Sequence, residues 1–409
     1  MTGSTGENGG PLAVDVVPPA SGTTVDADRA FLAEIRRIAD EVAGPNAADV
    51  DRLARFPVEA VAALREERAL SAFVPTDLAG DGVSFAALAE ACLELGRRCS
   101  ATAMIFAMHQ IQVVTLTRHL EPGGFFESYL QDLAREQRLI ASVTSEVGTG
   151  GDMSRSIAAL TPAGAGRSII EKQAPTVSYG AYADDLLTTV RSAPDSRDGD
   201  QVLVLTHASQ TTMEPKGTWD PLGMRGTCSP GFVVRAELSD EQVLGTPYSR
   251  VGPESMVPVS HVLWSHLWLG IATDAFDRAR AFVRAAAKAK PGEDVPAAQQ
   301  LSHLHSQLTL LRAEVGSGLA EYVAAWDDRE CLSTLRMVLR FNNLKIATSE
   351  QAPRICQEAM GVCGIVGFKN DSPYSVGRQL RDAMSAVLMV ANERLHKTNA
   401  SLLLIAKDV

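Results

Sequence analysis

Three short polar segments in the middle of the chain carry residue types that suit a bound ligand. The first runs from Ser145 to Asp152, directly after a predicted strand, and three of four consecutive positions in it are Gly148, Gly150 and Gly151. Glycine lets the backbone approach a ligand closely, and successive free N–H groups form a concavity that favours anions. Taken alone, this run is more typical of a surface turn between two strands.

Two further segments place small hydroxyl groups and glycines beside predicted strands. Residues 174–184 contain Thr176 and Ser178, and residues 219–227 contain Gly223 and Arg225. A serine or threonine hydroxyl donates and accepts hydrogen bonds while occupying little space. Each segment alone is typical of a polar loop, so only their order along the chain indicates a binding site.

Several other kinds of active site are not indicated by the sequence. His303 and His305 are two positions apart on a predicted helix and therefore face apart, which does not suit a metal pair. The acidic residues are scattered, and we find neither a P-loop nor a Ser/His/Asp hydrolase signature. We therefore expect no metal ion.

The hydrophobic periodicity divides the chain into helical, β and helical parts. Apolar residues recur at helical spacing from residue 27, short β-type runs broken by Gly, Pro, Asp and Ser occupy residues 139–257, and the helical period then returns. We expect a flexible tail over 1–26, an N-terminal helical domain over 27–138, a small β-barrel or sandwich over 139–257 and a C-terminal four-helix bundle over 258–409. The predicted class is a multidomain α+β fold.

Composition limits the partners and the compartment. The 409 residues carry 38 Lys+Arg and 49 Asp+Glu, a net charge of −11, which argues against a nucleic-acid partner. The six cysteines follow no disulfide or zinc pattern, and no run resembles a signal peptide or a membrane span. We expect a cytoplasmic protein that does not bind membranes. Apolar stripes on two C-terminal helices predict a homo-oligomer, and they comprise Leu301, Leu304, Leu308, Leu311, Val387, Leu388, Leu395 and Leu402.

In this order, and between two helical domains, the middle segments resemble the acyl-CoA dehydrogenase superfamily. Its members carry a Thr-Glu-Pro-Gly-Ala-Gly-Ser-Asp-like loop, a Trp-Ile-Thr segment leading to Ala-Asp, and a Leu-Gly-Met-Arg-Gly-Thr stretch. Residues 145–152, 174–184 and 222–227 are similar to these motifs. Further similarity lies in Arg55-Phe56-Pro57 and, near the C-terminus, in residues 361–364 and 378–383.

The resemblance implies a bound FAD and α,β-dehydrogenation of an acyl thioester, with CoA or an acyl-carrier protein holding the acyl group. This is chemistry of fatty acid metabolism, and the usual assembly is a tetramer built as two dimers. By matching motifs, the resemblance assigns substrate contacts to Met153 and Arg225. It assigns cofactor contacts to Thr144, Ser145, Gly150, Gly151, Thr176, Ser178, Glu358 and Gly361.

The chain also departs from the family pattern, most sharply at the catalytic base. The position of the usual Glu aligns with Val390, which cannot accept a proton. Glu393 is three residues later, and on a continuous helix it would lie on a neighbouring face. His261 and His266 are further substitutes because histidine can accept a proton near neutral pH.

The remaining departures concern the cofactor. Thr176 stands in place of a Trp, Gly151 in place of a Ser, and Glu358 in place of a Gln near the neighbouring subunit's cofactor.

Three functions follow from these matches and departures. The leading one is an acyl-CoA or acyl-carrier-protein dehydrogenase with a displaced base. The second is a flavin-dependent monooxygenase or hydroxylase on the same fold, supplied with reduced flavin by a partner reductase, and this reaction does not need the missing Glu. The third is a non-catalytic partner subunit that completes the site of a related dehydrogenase chain.

Overall fold

The computed structural model describes residues 22–150 and 152–406, so most of the predicted tail lies outside it. Helix α1 begins at Gly22, four residues before the predicted end of the tail, and a π-helical turn over Ala39–Ala43 continues it. Helix α5 is buried on nearly all sides, as its continuous apolar sequence predicts. The N-terminal helices are α1 (Gly22–Ile38), α2 (Gly44–Leu53), α3 (Val58–Glu66), α4 (Phe85–Gly96), α5 (Ser100–Arg118) and α6 (Phe125–Glu136).

The middle domain consists of two small sheets. One has the order β1-β4-β5, with β1 parallel to β4, and the other is antiparallel with the order β2-β3-β7-β6. Strand β3 alternates strictly between exposed and buried side chains, as expected when one face of a sheet covers a core. The strands are β1 (Ile140–Val143), β2 (Thr161–Gly164), β3 (Arg167–Ala174), β4 (Asp185–Arg191), β5 (Gln201–His207), β6 (Thr211–Lys216) and β7 (Gly231–Ser239).

Three long helices, α8, α9 and α11, form the body of the C-terminal domain. Helix α8 packs against both others and also against α4, so the two helical domains share one hydrophobic core. The described C-terminal helices are α7 (Tyr248–Val251), α8 (Val257–Ala289), α9 (Ala297–Ala324), α10 (Arg329–Leu332), α11 (Leu335–Cys363), α12 (Ile365–Phe368), α13 (Gly377–Met384) and α14 (Asn392–Leu403). The predicted fold class is confirmed, with the short pair α13 and α14 completing the bundle.

The structure bears on two expectations, an oligomer that covers the apolar stripe of α9 and the absence of a membrane span. Leu304, Leu308 and Leu311 of α9 are buried within a single chain, so they do not require a second copy to cover them. Within the described residues, no helix combines the length and apolarity needed to cross a bilayer.

Asp185, the first residue of β4, ties helix α6 to the β domain. Its buried carboxylate accepts hydrogen bonds from the Tyr129 hydroxyl at 2.8 Å and from Arg138 Nε and Nη2 at 2.7 and 2.6 Å. His207 Nδ1 lies 2.7 Å from Oδ1. Burial alone raises the pKa of a carboxyl group, but the contacts from Arg138, His207 and Tyr129 outweigh it and hold the pKa of Asp185 below its usual value.

We predict that Asp185→Ala lowers the free energy of unfolding at pH 7 by about 3–5 kcal/mol, because it leaves a partly buried guanidinium and a buried phenol without their partner. Urea denaturation measures the change. Asp195→Ala, at an exposed site in the same domain, is the control and should stay within about 0.5 kcal/mol of the wild type. Because the pKa of Asp185 is lowered on folding, the charge-dependent part of its contribution should begin to fall as the pH drops below about 4, the unfolded value, and should be lost below the folded pKa, so the stability difference between variant and wild type should narrow over that range. Equal stability of both variants at pH 7 would contradict this account.

Candidate active site

A cavity of about 630 Å³ lies where the β domain, α5, α8 and the segment after α13 meet. The β-domain wall contains Ser142, Thr144, Ser145, Gly150, Met153, Pro175, Thr176, Ser178, Thr227 and Ser229. The helical wall contains Met104, Met108, Ile111, Gln112, Met256, Ser260 and Trp264. The remaining wall contains Trp219, Pro221, Leu222, Gly223, Met224, Arg381, Met384, Ser385, Leu388, Met389, Val390, Ala391 and Arg394.

Two serines on the β-domain wall offer opposite hydrogen-bonding roles to a ligand. Ser145 Oγ donates its proton to the carbonyl oxygen of Thr176 at 2.9 Å, which leaves its lone pairs to accept from the cavity. Ser178 Oγ accepts from Ser229 Oγ at 2.9 Å, which leaves the Ser178 proton to be donated. A heteroaromatic ring edge with both acceptors and an N–H donor, as in an isoalloxazine, fits this pair.

Buried groups behind the wall hold these serines in place. The Tyr179 hydroxyl donates to the carbonyl oxygen of Ile140 in β1 at 2.9 Å, which fixes the residue next to Ser178 against the strand that leads to Ser145. The Glu146 carboxylate accepts from Ser156 Oγ at 2.6 Å and from the backbone N–H of Ala158 at 2.6 Å. The glycine-containing loop is therefore anchored immediately after Ser145.

The loop before β7, residues 219–226, docks directly on helix α13. The backbone N–H of Met224 donates to Asp382 Oδ1 at 2.7 Å, and burial raises the pKa of the Asp382 carboxyl above its usual value. Gly223 lies so close to α13 that a Cβ atom there would collide with the carbonyl oxygen of Arg381. Only a glycine fits at this contact, which closes one side of the cavity.

The described part of the cavity lining contains no Asp, Glu, His, Lys, Cys or Tyr side chain. Its two charged residues are arginines, and both are already in ion pairs. Arg381 contacts Asp51, with Nη1 at 2.9 Å from Oδ1, and Arg394 Nη2 lies 3.1 Å from Asp152 Oδ1. No side chain of the described lining can therefore accept a proton as a general base near neutral pH.

The substitute base expected at Glu393 is not supported by the geometry. Helix α13 ends at Met384, a series of turns follows, and α14 begins at Asn392, so no continuous helix joins Val390 to Glu393. Val390 has φ of +46°, a left-handed conformation that strains a β-branched residue. Glu393 is exposed and lies outside the cavity lining, whereas Val390 is part of it.

The two candidate histidines also lie outside the lining and are held in the core. His261 Nδ1 is 3.0 Å from the carbonyl oxygen of Phe341, and His266 Nδ1 is 2.8 Å from that of Val262. Burial lowers the pKa of His261 to about 3 and that of His266 to about 4. Both are neutral at pH 7, and each has a structural partner.

The structure brings most of the predicted site residues together. Of these, Thr144, Ser145, Gly150, Met153, Thr176 and Ser178 line the cavity. Gly151 lies outside the described residues.

Three predicted contacts lie away from the cavity. Arg225 does not line it, because Nη1 binds Asp220 at 2.7 Å and Nε binds the carbonyl oxygen of Asp51 at 2.9 Å. Its role is to hold the docked loop, which corrects its expected place in a substrate site. Glu358 and Gly361 lie on α11, where Gln307 Nε2 donates to Glu358 at 2.9 Å.

The sequence motifs do not identify the helical wall of the cavity. Seven of the 11 methionines line the cavity, namely Met104, Met108, Met153, Met224, Met256, Met384 and Met389. Met104, Met108 and Gln112 recur at four-residue spacing on α5, but such a stripe is equally typical of a core helix. The recurrence of methionine in these segments is the sequence feature that indicates a binding surface, since flexible thioethers are common on adaptable binding surfaces.

We predict that Gly223→Ala lowers the free energy of unfolding by about 1–3 kcal/mol, because its methyl group would meet the backbone of α13 and force the loop away. Thermal unfolding measures the change, and Trp219 fluorescence reports the loop. Gly316→Ala is the matched control, since nothing lies within 4 Å of a Cβ atom at that helical site. A Gly223→Ala protein as stable as the control would show that the close contact does not hold the loop.

Comparison with known proteins identifies a matching family model and several relatives of this chain. The family model for the acyl-CoA dehydrogenase N-terminal domain matches residues 26–137. A probable FMNH2-dependent monooxygenase, SfnC, from Pseudomonas putida is 23% identical over 74% of this chain and 77% of its own length. L-evernosamine nitrososynthase from a Micromonospora species is 26% identical over 91% and 87%. The mitochondrial short-chain specific acyl-CoA dehydrogenase of Bos taurus is 24% identical over 85% and 82%.

The fold is also that of solved structures. The crystal structure of FMN-bound TdsC from Paenibacillus sp. A11-2 superposes with a TM-score of 0.80 at 20% identity, covering 92% of this chain and 97% of TdsC. The N-terminal family match, the relatives across most of the chain and the shared architecture agree. The match of residues 26–137 and the relatives across most of the chain support membership of the acyl-CoA dehydrogenase superfamily.

Proposed function

We propose that this chain is a flavin-dependent monooxygenase that uses reduced FMN, supplied by a separate reductase, to oxygenate a small substrate. The observation that carries this proposal is the absence of any proton-accepting side chain from the described lining of the cavity. Within one superfamily, this feature bears directly on the choice between dehydrogenation and oxygenation.

Dehydrogenation of an acyl thioester needs a base beside the α-carbon. The α-proton is weakly acidic, so a placed base and hydrogen bonds to the thioester carbonyl must act together. Here Val390 occupies the position where the family has its Glu, and its backbone conformation is strained. Glu393 is exposed, and both nearby histidines are engaged with backbone carbonyls. The dehydrogenase interpretation therefore has no identified base.

The hydroxyl-bearing wall is the part of the cavity that suits a flavin. Ser178 has a proton to donate to a ring nitrogen or carbonyl oxygen, and Ser145 has lone pairs to accept from a ring N–H. Thr144, Thr176 and Gly150 complete this wall without bulky side chains. FMN is proposed in place of FAD because a relative is named as FMNH2-dependent and a protein of the same fold is described with bound FMN.

When bound, reduced flavin supplies two electrons that let one atom of O₂ enter the substrate while the other leaves as water. The chain's own contribution is binding and exclusion. Methionine side chains and Trp264 make much of the lining apolar, and an apolar site that excludes water would protect reactive oxygen chemistry from wasteful discharge. No lining residue needs to take a proton from carbon, which matches the residues present.

A coupled assay tests the proposal. Purified protein, FMN, NADH, a flavin reductase and ¹⁸O₂ are incubated with neutral aromatic probes, namely indole, benzothiophene and 2-naphthol, and products are analysed by mass spectrometry. We expect ¹⁸O-labelled product that depends on both this chain and the reductase. A parallel reaction supplies butyryl-CoA and an artificial electron acceptor without reductase. Formation of the enoyl product there, with no labelled product in the first reaction, would overturn the proposal.

A second test addresses the serine pair. We expect Ser178→Ala to weaken FMN binding about two- to tenfold, because one neutral hydrogen bond is lost. Fluorescence quenching of FMN on titration with protein measures the affinity. Ser306→Ala, at an exposed site on α9, is the control and should bind FMN like the wild type. Unchanged affinity in Ser178→Ala would place the flavin elsewhere.

A further inference from the structure

The lining of the cavity carries charge of one sign. In its described part the charged side chains are Arg381 and Arg394, and there is no carboxylate. Such a cavity attracts an anionic group, because walls of low dielectric constant strengthen the field of the charges that line them. The two arginines differ in how many of their N–H donors are already used, and this difference decides which of them a ligand can engage.

Arg381 is committed to contacts within the protein. Its Nη1 donates to Asp51 Oδ1 at 2.9 Å and to the carbonyl oxygen of Leu222 at 2.8 Å, and its Nη2 donates to Asp51 Oδ2. One guanidinium therefore uses both oxygens of the carboxylate, in the two-point geometry that makes such pairs strong. Arg381 holds the loop before β7 in place and has little attraction left for a ligand.

Arg394 is held by a single contact and keeps donors that a ligand can reach. Its Nη2 donates to Asp152 Oδ1 at 3.1 Å, whereas Nε and Nη1 have no partner within the described part of the chain and are not among its buried unpartnered atoms. The side chain is 32% exposed. A guanidinium presents its N–H groups as a planar fork that fits the oxygens of a phosphate. Arg394 can therefore bind an anion while it keeps its contact with Asp152.

The carboxylate of Asp152 does not balance the charge around it. Arg155 Nε lies 3.6 Å from Oδ2, so two guanidinium groups share this one carboxylate. Its Oδ1 also accepts from Ser154 Oγ at 2.6 Å, which holds it to its own loop. These three charged side chains leave an excess of one positive charge beside the cavity, which a bound anion would balance.

The position of Arg394 relative to the serine pair matches the shape of FMN. The glycine-containing loop starts at Ser145, on the wall proposed for the ring, and ends at Asp152, which Arg394 contacts. In FMN a ribityl chain separates the ring from a terminal phosphate. That phosphate carries a charge of about −1.5 to −2 at pH 7. A ring against Ser145 and Ser178 therefore leaves the phosphate to be bound at another part of the same lining.

We propose that Arg394 binds the terminal phosphate of FMN and thereby selects FMN over a flavin that lacks this group. The proposal rests on the proposed function for the identity of the ring. Its own content is a phosphate site at the start of α14, formed by the one arginine of the described lining that has free donors.

Titration of the protein with FMN and with riboflavin, followed by flavin fluorescence at about 0.15 M salt, tests this inference. The two flavins differ only in the phosphate. We expect the wild type to bind FMN about ten- to a hundredfold more tightly, as a charge-assisted contact implies. Arg394→Gln should reduce the preference below about twofold, and Arg394→Lys, which keeps the charge without the fork, should be intermediate. Riboflavin affinity should be unchanged in both variants, which also shows that they fold.

Arg155→Gln is the matched control. It removes an equal charge from the same carboxylate but lies outside the described lining, so it should keep most of the preference for FMN. An equal loss of preference in Arg155→Gln and Arg394→Gln would show a general effect of charge and would overturn the inference.

The remaining outcomes separate this inference from the proposed function. Equal affinity of the wild type for FMN and riboflavin overturns the inference and leaves the flavin function standing, whether or not any variant folds. Binding of neither flavin overturns both. Uridine diphosphate is also titrated into the FMN-loaded protein by calorimetry, and we expect no binding. Binding that Arg394→Gln abolishes would assign the arginine to a phosphorylated substrate and would contradict the proposal.

Discussion

The candidate site depends on a backbone-to-backbone contact between two distant parts of the chain. Gly223 lies against Arg381 and Asp382 of α13 with no room for a side chain, and the Met224 N–H donates to the buried Asp382 carboxylate. This contact holds the loop before β7 against helix α13. After that helix the chain enters the segment that leads to α14. The cavity exists because these elements meet, and Arg225 and Arg381 reinforce the arrangement through Asp51.

The chemistry of the cavity follows from what its walls contain. The β-domain wall has one hydroxyl that can donate and another that can accept, while the helical wall consists mainly of thioether, indole and aliphatic groups, with Gln112 and Ser260 as its polar residues. The charged residues of the described lining are two arginines paired with carboxylates, and burial keeps His261 and His266 neutral. The described lining therefore combines hydroxyl groups with apolar side chains and offers no side chain that would remove a proton from carbon. These properties favour a reaction in which a separate reductase supplies the electrons and O₂ is the oxidant. They disfavour direct oxidation of the substrate by the bound flavin.

The sequence predicted the parts of the site that carry a local signal. Ser145 and Ser178 were placed by their motifs, and both line the cavity. Strands β2 and β6 were missed because most of their side chains are exposed, so their sequences lack an apolar pattern. A helical count from Val390 to Glu393 does not apply, because Val390 adopts a left-handed conformation and α14 begins only at Asn392.

We propose that electrons reach the flavin from a reductase, because the described lining of the cavity contains no proton-accepting side chain. An anaerobic titration of the FMN-loaded protein with butyryl-CoA, followed by the visible absorbance of the flavin, tests it most directly. The account predicts that the absorbance persists at saturating thioester and is bleached only when NADH and the reductase are added. Bleaching by butyryl-CoA alone would show that a base operates in this cavity and would contradict the account.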